Sequence, residues 1–178
     1  MTPTKESVNI ARQLFYRVNK RATPDFWREN PSYTGVVVSE NFQNMDFFLN
    51  WCHNQVGFMQ KDHNGLRYAM DKDILPSVGK LYSEGHCVFV PTEINNLVLS
   101  KNSGISVTKS GSYEVRYGRD YNGSRIWLGT YKSLEEAQLV YDDHKFGHIR
   151  TMIVKYQDKV DSRVLLSLKE LLRPCRSR

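Results

Sequence analysis

Two aspartates stand two residues apart in Met70-Asp71-Lys72-Asp73, inside a run from Tyr68 to Leu75 that reads as a short strand. On a strand, that spacing puts both carboxylates on one face. Their oxygens suit a hard divalent cation such as Mg²⁺, with Glu40 a further acid if the fold brings it close. Asp71 and Asp73 are thus candidate metal ligands. The competing reading of the same residues is structural, with the two aspartates capping turns and Lys72 solvated. A hydrolytic site also needs a base to take a proton from water. His63, in the loop Asp62-His63-Asn64-Gly65, would be that base if its loop folds over the aspartates; otherwise it is a surface residue. His86 beside Cys87 reads as surface or packed. His144 and His148 have a legal zinc spacing on a helix, but no third ligand accompanies them, so they read as structural.

A second group of residues has different chemistry. Ile105–Lys109, Tyr113–Tyr117 and Ser124–Thr130 are alternating runs separated by Ser110-Gly111 and by Asp120-Tyr121-Asn122-Gly123, the pattern of two hairpins. Alternation groups Ile105, Val107, Tyr113, Val115, Tyr117, Ile126, Leu128 and Thr130 on one face. The opposite face collects Ser106, Thr108, Arg116, Arg125 and Trp127. Guanidinium groups and an indole on an open sheet face suit the major groove of duplex DNA, which admits β-structure. The bland alternative is a solvated face with one exposed tryptophan.

These groups need elements to hold them. Residues 7–21 place Ile10, Leu14 and Val18 on one side of a helix, with Arg12, Arg17, Lys20 and Arg21 elsewhere on the wheel. Gly35–Val38 predicts a strand, Phe42–Trp51 a helix, Gly57–Asn64 a loop, and His86–Val90 the partner of the Tyr68 strand. The stretch from Pro76 to Gly85 reads as a polar connection, and Thr92–Leu99 as a short helix. Ser133-Leu134-Glu135-Glu136 is a capping box opening a helix that presents Ala137, Val140, Tyr141 and His144. Val160–Leu172 predicts a last helix. The module boundary is expected at Lys101-Asn102-Ser103-Gly104, dividing the chain into residues 1–100 and 101–178. The fold class is α+β.

Composition narrows the functions. The 178 residues are 40% hydrophobic and 25% charged, with mean hydropathy −0.54, which is globular composition. No apolar run approaches the ~20 residues of a membrane span, and the first residues lack the apolar core of a leader. Cys52, Cys87 and Cys175 form no metal or disulfide pattern, which favours a reduced, cytoplasmic setting. Residues 1–100 hold ten basic and ten acidic side chains, while residues 101–178 hold fifteen and nine, so the whole excess of +6 lies in the second half. A polyanionic partner is expected there.

At this point the residues resemble a family. Ser103-Gly104-Ile105-Ser106-Val107 and the run Trp127-Leu128-Gly129-Thr130-Tyr131, then Glu135-Glu136-Ala137 and Tyr141-Asp142, resemble the plant ethylene-response-factor (Apetala-type) DNA-binding domain, related forms of which end phage HNH homing endonucleases. The resemblance implies base and phosphate contacts by Arg116, Arg125 and Trp127, with Arg119 and Lys109 on phosphates. Ser106 and Tyr113 depart from it, standing where the plant domains often have arginine and tryptophan. Residues 70–97 resemble the phage endonucleases themselves, and imply a strand, long loop, strand and helix acting as a degenerate ββα-metal nuclease. By that resemblance Asp71 is a metal ligand, Lys72 replaces the usual histidine base, and Asn95 and Asn96 lie near the helix ligand position. Glu84 and Gly85 stand where those proteins read proline and a variable residue. A lysine of ordinary pKa, ~10.4, is a poor base at neutral pH, so Lys72 is expected to act as a charge on the phosphate. The implied function is sequence-specific binding of double-stranded DNA, phage-type, in the cytoplasm of a host cell, with Mg²⁺-dependent cleavage as its enzymatic form. The alternative is a non-catalytic regulator, or an effector that binds a host protein.

Overall fold

The computed structural model describes residues 2–76, 79–99, 104–118 and 124–173. Two compact units divide the chain, Met1–Asn95 with Gln157–Ser167, and Asn96–Tyr156 with Leu168–Arg178. The boundary expected at residue 100 thus falls at Asn95, and Gln157–Ser167 belongs to the first unit. Arg163 shows one reason: its guanidinium donates to the Gly85 carbonyl (3.0 Å) while gripping Asp161 through two nitrogens (3.0 and 2.8 Å).

The first unit opens with α1 (Lys5–Arg21), capped by Thr4, whose hydroxyl accepts the Ser7 N–H (3.1 Å). Its buried side is Ser7, Ala11 and Val18. A short α2 (Pro24–Glu29) follows, then a 3₁₀ turn (Pro31–Tyr33) and β1 (Val37–Val38). The single helix expected over 42–51 is two, α3 (Glu40–Gln43) and α4 (Met45–Asn54). Asn44 causes the break: at ψ 117° it leaves the helical region, and its side chain accepts the Phe47 N–H (3.0 Å) to start the second helix.

β2 (Ala69–Asp71) pairs antiparallel with β4 (Val88–Val90), and α5 (Thr92–Leu99) begins just after β4. Between them β3 (Leu81–Tyr82) pairs parallel with β1, Val37 opposite Leu81. The stretch 76–85, expected as a polar connection, thus contains a strand, and at two residues it carries no period in the sequence. An aromatic chain forms the core. Phe15, Phe48, Phe42 and Trp51 meet at ring separations of 4.7–5.7 Å, and Trp51 passes the chain to Phe89 at 5.7 Å. Such edge and tilted contacts add to area burial.

The second unit holds β5 (Ile105–Val107), β6 (Tyr113–Tyr117) and β7 (Ile126–Tyr131) in an antiparallel sheet with β6 central. α6 (Leu134–Tyr156) packs on one face of it, burying Val115, Ala137 and Tyr141, with Ile105, Tyr113, Tyr117, Leu128 and Tyr131 around them. The capping box forms in part as expected: Ser133 Oγ accepts the Glu136 N–H (3.1 Å). The last helix is α7 (Ser162–Glu170), shorter at both ends than expected. The molecule is a mixed α+β protein with small sheets, mostly antiparallel. None of its described helices is long and apolar enough to cross a membrane.

Candidate nucleic-acid interface

Register fixes what the sheet offers. Tyr113 faces Tyr131, Glu114 faces Thr130 and Val115 faces Gly129, but Arg116 then faces Trp127. Leu128 is left without a partner, a bulge. Simple alternation therefore fails beyond it. Thr130, expected on the covered face with Ile126 and Leu128, lies instead on the open face opposite Glu114. Gly129 makes this possible at φ 141°, where a Cβ would come within 2.6 Å of the Tyr131 hydroxyl. Tyr131 locks the bulge by donating that hydroxyl to the Leu128 carbonyl (3.0 Å).

On the open face Trp127 is 60% exposed, a costly position for an indole in a protein with nothing to place against it. Arg125, one residue before β7, and Lys109, just after β5, are exposed and have no side-chain partner among the described residues. Ser106, opposite Glu114, is also exposed. Arg116 differs: its Nε donates to Glu114 (2.7 Å), which holds the Glu114 carboxyl below its usual pKa and raises that of the guanidinium. Thr108 is not a free face residue. Its hydroxyl accepts the Ser112 N–H and lies 2.9 Å from Ser110 Oγ, so it builds the β5–β6 turn. Arg119 lies outside the described residues. Alternation along β6 already puts the acid Glu114 on the same face as Arg116; the register adds its cross-strand neighbours, Ser106 and Thr130.

The aspartate pair is arranged differently from the expectation. β2 ends at Asp71, so Asp73 is off the strand and the shared face does not exist. Asp71 Oδ1 accepts the N–H groups of Asp73 (2.7 Å) and Ile74 (2.9 Å), the turn cap of the structural reading. Burial pushes its pKa up, against those hydrogen bonds. Lys72 is not solvated: its side chain is 9% exposed, paired with Asp73, its ammonium 5.6 Å from the Tyr82 ring centroid. Tyr82 in turn accepts from Arg21 (2.8 Å). Tyr82 and Arg21 are the partners sequence reasoning missed, since a two-residue strand positions one of them.

The other candidates point elsewhere. His63 is exposed and lies 3.9 Å from Glu93 on α5. Glu84 is bound by Asn41 (2.6 Å) and Ser39, and its pKa is lowered first by its own backbone N–H. His86 Nδ1 is 2.7 Å from Ser83 Oγ, and His148 Nδ1 is 3.0 Å from the Tyr117 hydroxyl. Asn95 Oδ1 is buried with no hydrogen-bond partner. Among the described residues no three of His, Cys, Asp and Glu gather to hold a metal ion. Asp71 Oδ1 is taken by two backbone N–H groups, and Asp73 is paired with Lys72. Cys52 and Cys87 are free and fully buried, with thiols pushed up by burial to about 12. No family model matches the sequence, and no solved structure matches the fold.

Proposed function

We propose that this chain binds double-stranded DNA in a sequence-dependent manner, through the open face of β5–β6–β7. One observation supports the reading above the others: Trp127 stands exposed on the face that α6 does not cover, and Arg125, the residue before β7, is exposed with no side-chain partner among the described residues. A guanidinium beside an indole matches base-edge and phosphate recognition in the major groove. Lys109 supplies a phosphate contact at the edge. Arg116 would join once it leaves Glu114. Titrating labelled duplex at rising salt tests the reading: affinity should fall with a log–log slope near −0.9 per phosphate contact. A flat response would overturn it.

Whether DNA is cut divides the reading further. The non-catalytic regulator is favoured by the packing of Asp71, Lys72 and Asp73 against one another and against Tyr82. The Mg²⁺-dependent endonuclease has one observation in its favour: the orphaned carbonyl oxygen of Asn95, on the helix where the resemblance implies a ligand. Plasmid nicking with and without Mg²⁺ separates the two. Cleavage that disappears in Asp71→Ala while DNA binding persists would establish the nuclease. A host protein as partner has no comparable feature behind it.

A further inference from the structure

The buried side of α1 is Ser7, Ala11 and Val18, with Phe15 stacked edge-on against Phe48 of α4 at 5.7 Å. At 100° per residue the opposite arc carries Lys5, Arg12, Tyr16, Arg17 and Lys20, and all five are exposed. Tyr16 is 61% exposed. Three other cations of this unit are held: Arg21 by Tyr82 and Tyr33, Arg28 by Asp25, Arg67 by Glu6. Lys5, Arg12 and Arg17 have no side-chain partner among the described residues, and Lys20 has only the Phe26 ring at 5.9 Å. The single acid of the helix, Glu6, sits at its far end and is neutralised by Arg67. A net charge of zero over residues 1–100 thus conceals a one-sided distribution.

We infer that this arc of α1 is a second phosphate-binding surface for duplex DNA. The inference rests on the reading of the chain as a DNA-binding protein and gives the first unit a DNA contact of its own. Four cations with no acid partner among the described residues, spread from Lys5 to Lys20, extend about 22 Å along the helix, enough to meet several phosphates. Tyr16 adds a hydroxyl donor among them. Charge complementarity alone would also suit an anionic membrane. A helix that lies in a membrane needs an apolar face to insert, and that of α1 is already packed against α4. No base-reading geometry is present, so the contacts are electrostatic and indifferent to sequence.

The full-length chain carrying Arg12→Gln, Arg17→Gln and Lys20→Gln tests this. These side chains are exposed, so its melting temperature should match that of the parent. The log–log salt slope should become shallower by about 2–3, with binding at low salt weakened roughly ten-fold or more for every duplex, and the ratio of cognate to shuffled sites kept. Arg12→Lys with Arg17→Lys should retain the parental slope. An unchanged slope and affinity in the glutamine variant would overturn the inference and leave the sheet reading standing. No duplex binding by the parent chain would overturn both. Lost binding to phosphatidylserine vesicles or to polyglutamate, with DNA binding intact, would assign the arc to another partner.

Discussion

Arg125 before β7 and Lys72 after β2 are both cations in segments that the sequence marks as functional, and the fold treats them oppositely. Arg125 is exposed, with no described partner, two residues before the exposed indole of Trp127. Lys72 is folded in, paired with Asp73 and laid over the Tyr82 ring. A charge can act on a ligand only if its hydrogen-bonding capacity is not already satisfied within the protein. The sheet of the second unit meets that condition, and the β2 region of the first largely does not.

The largest test removes the platform under the displayed side. Gly104 approaches β6 so closely that a Cβ there would lie 1.6 Å from the Arg116 carbonyl, while its own carbonyl accepts the Arg116 N–H (2.7 Å). Gly104→Ala should destabilise the second unit by about 3 kcal/mol or more, read by thermal melting, and abolish duplex binding with it. Arg125→Ala should leave the melt alone and reduce discrimination between cognate and shuffled duplex by ~1–3 kcal/mol. Equal loss on all sequences would demote Arg125 to a phosphate contact.

The folded-in side predicts the reverse pattern. Lys72→Ala should cost about 1–2 kcal/mol of stability through lost packing and cation–π contact, and change DNA affinity little. A stable Lys72→Ala protein with altered DNA binding would erase the contrast. Glu114→Gln lies between the regimes. It frees Arg116, so affinity should rise at low salt and the slope steepen by about 0.9. The smallest effect concerns acid. Arg163 holds the Asp161 carboxyl below its usual range, so its stabilisation is present above the unfolded value near 3.9 and lost as pH falls through the folded one. Asp161→Asn should therefore flatten the stability loss below about pH 4, in melts followed by circular dichroism.

Legibility in the sequence followed the same division. The hairpins, the capping box at Ser133 and the helix at Thr92 were readable, because each is set by local alternation or capping. Thr130 was misplaced, since a bulge depends on cross-strand register, which one strand cannot reveal. The β1–β3 pair was missed because two residues carry no period. The aspartates looked like ligands because spacing shows where side chains can reach, and not that β2 stops at Asp71. The basic arc of α1 was visible as polar positions, but their lack of partners was not, for an ion pair such as Arg67 with Glu6 joins distant segments.

The two buried thiols have a practical corollary. Cys52 in α4 and Cys87 beside β4 have their pKa values pushed to about 12, so hardly any thiolate exists at neutral pH, and no solvent reaches either sulfur. A maleimide must wait for the first unit to open before it can alkylate them. In a Cys175→Ser background, the labelling rate becomes an intrinsic clock for breathing of that unit. It needs no introduced dye site and can be run with duplex bound, so ligand-dependent slowing would register engagement of the first unit directly.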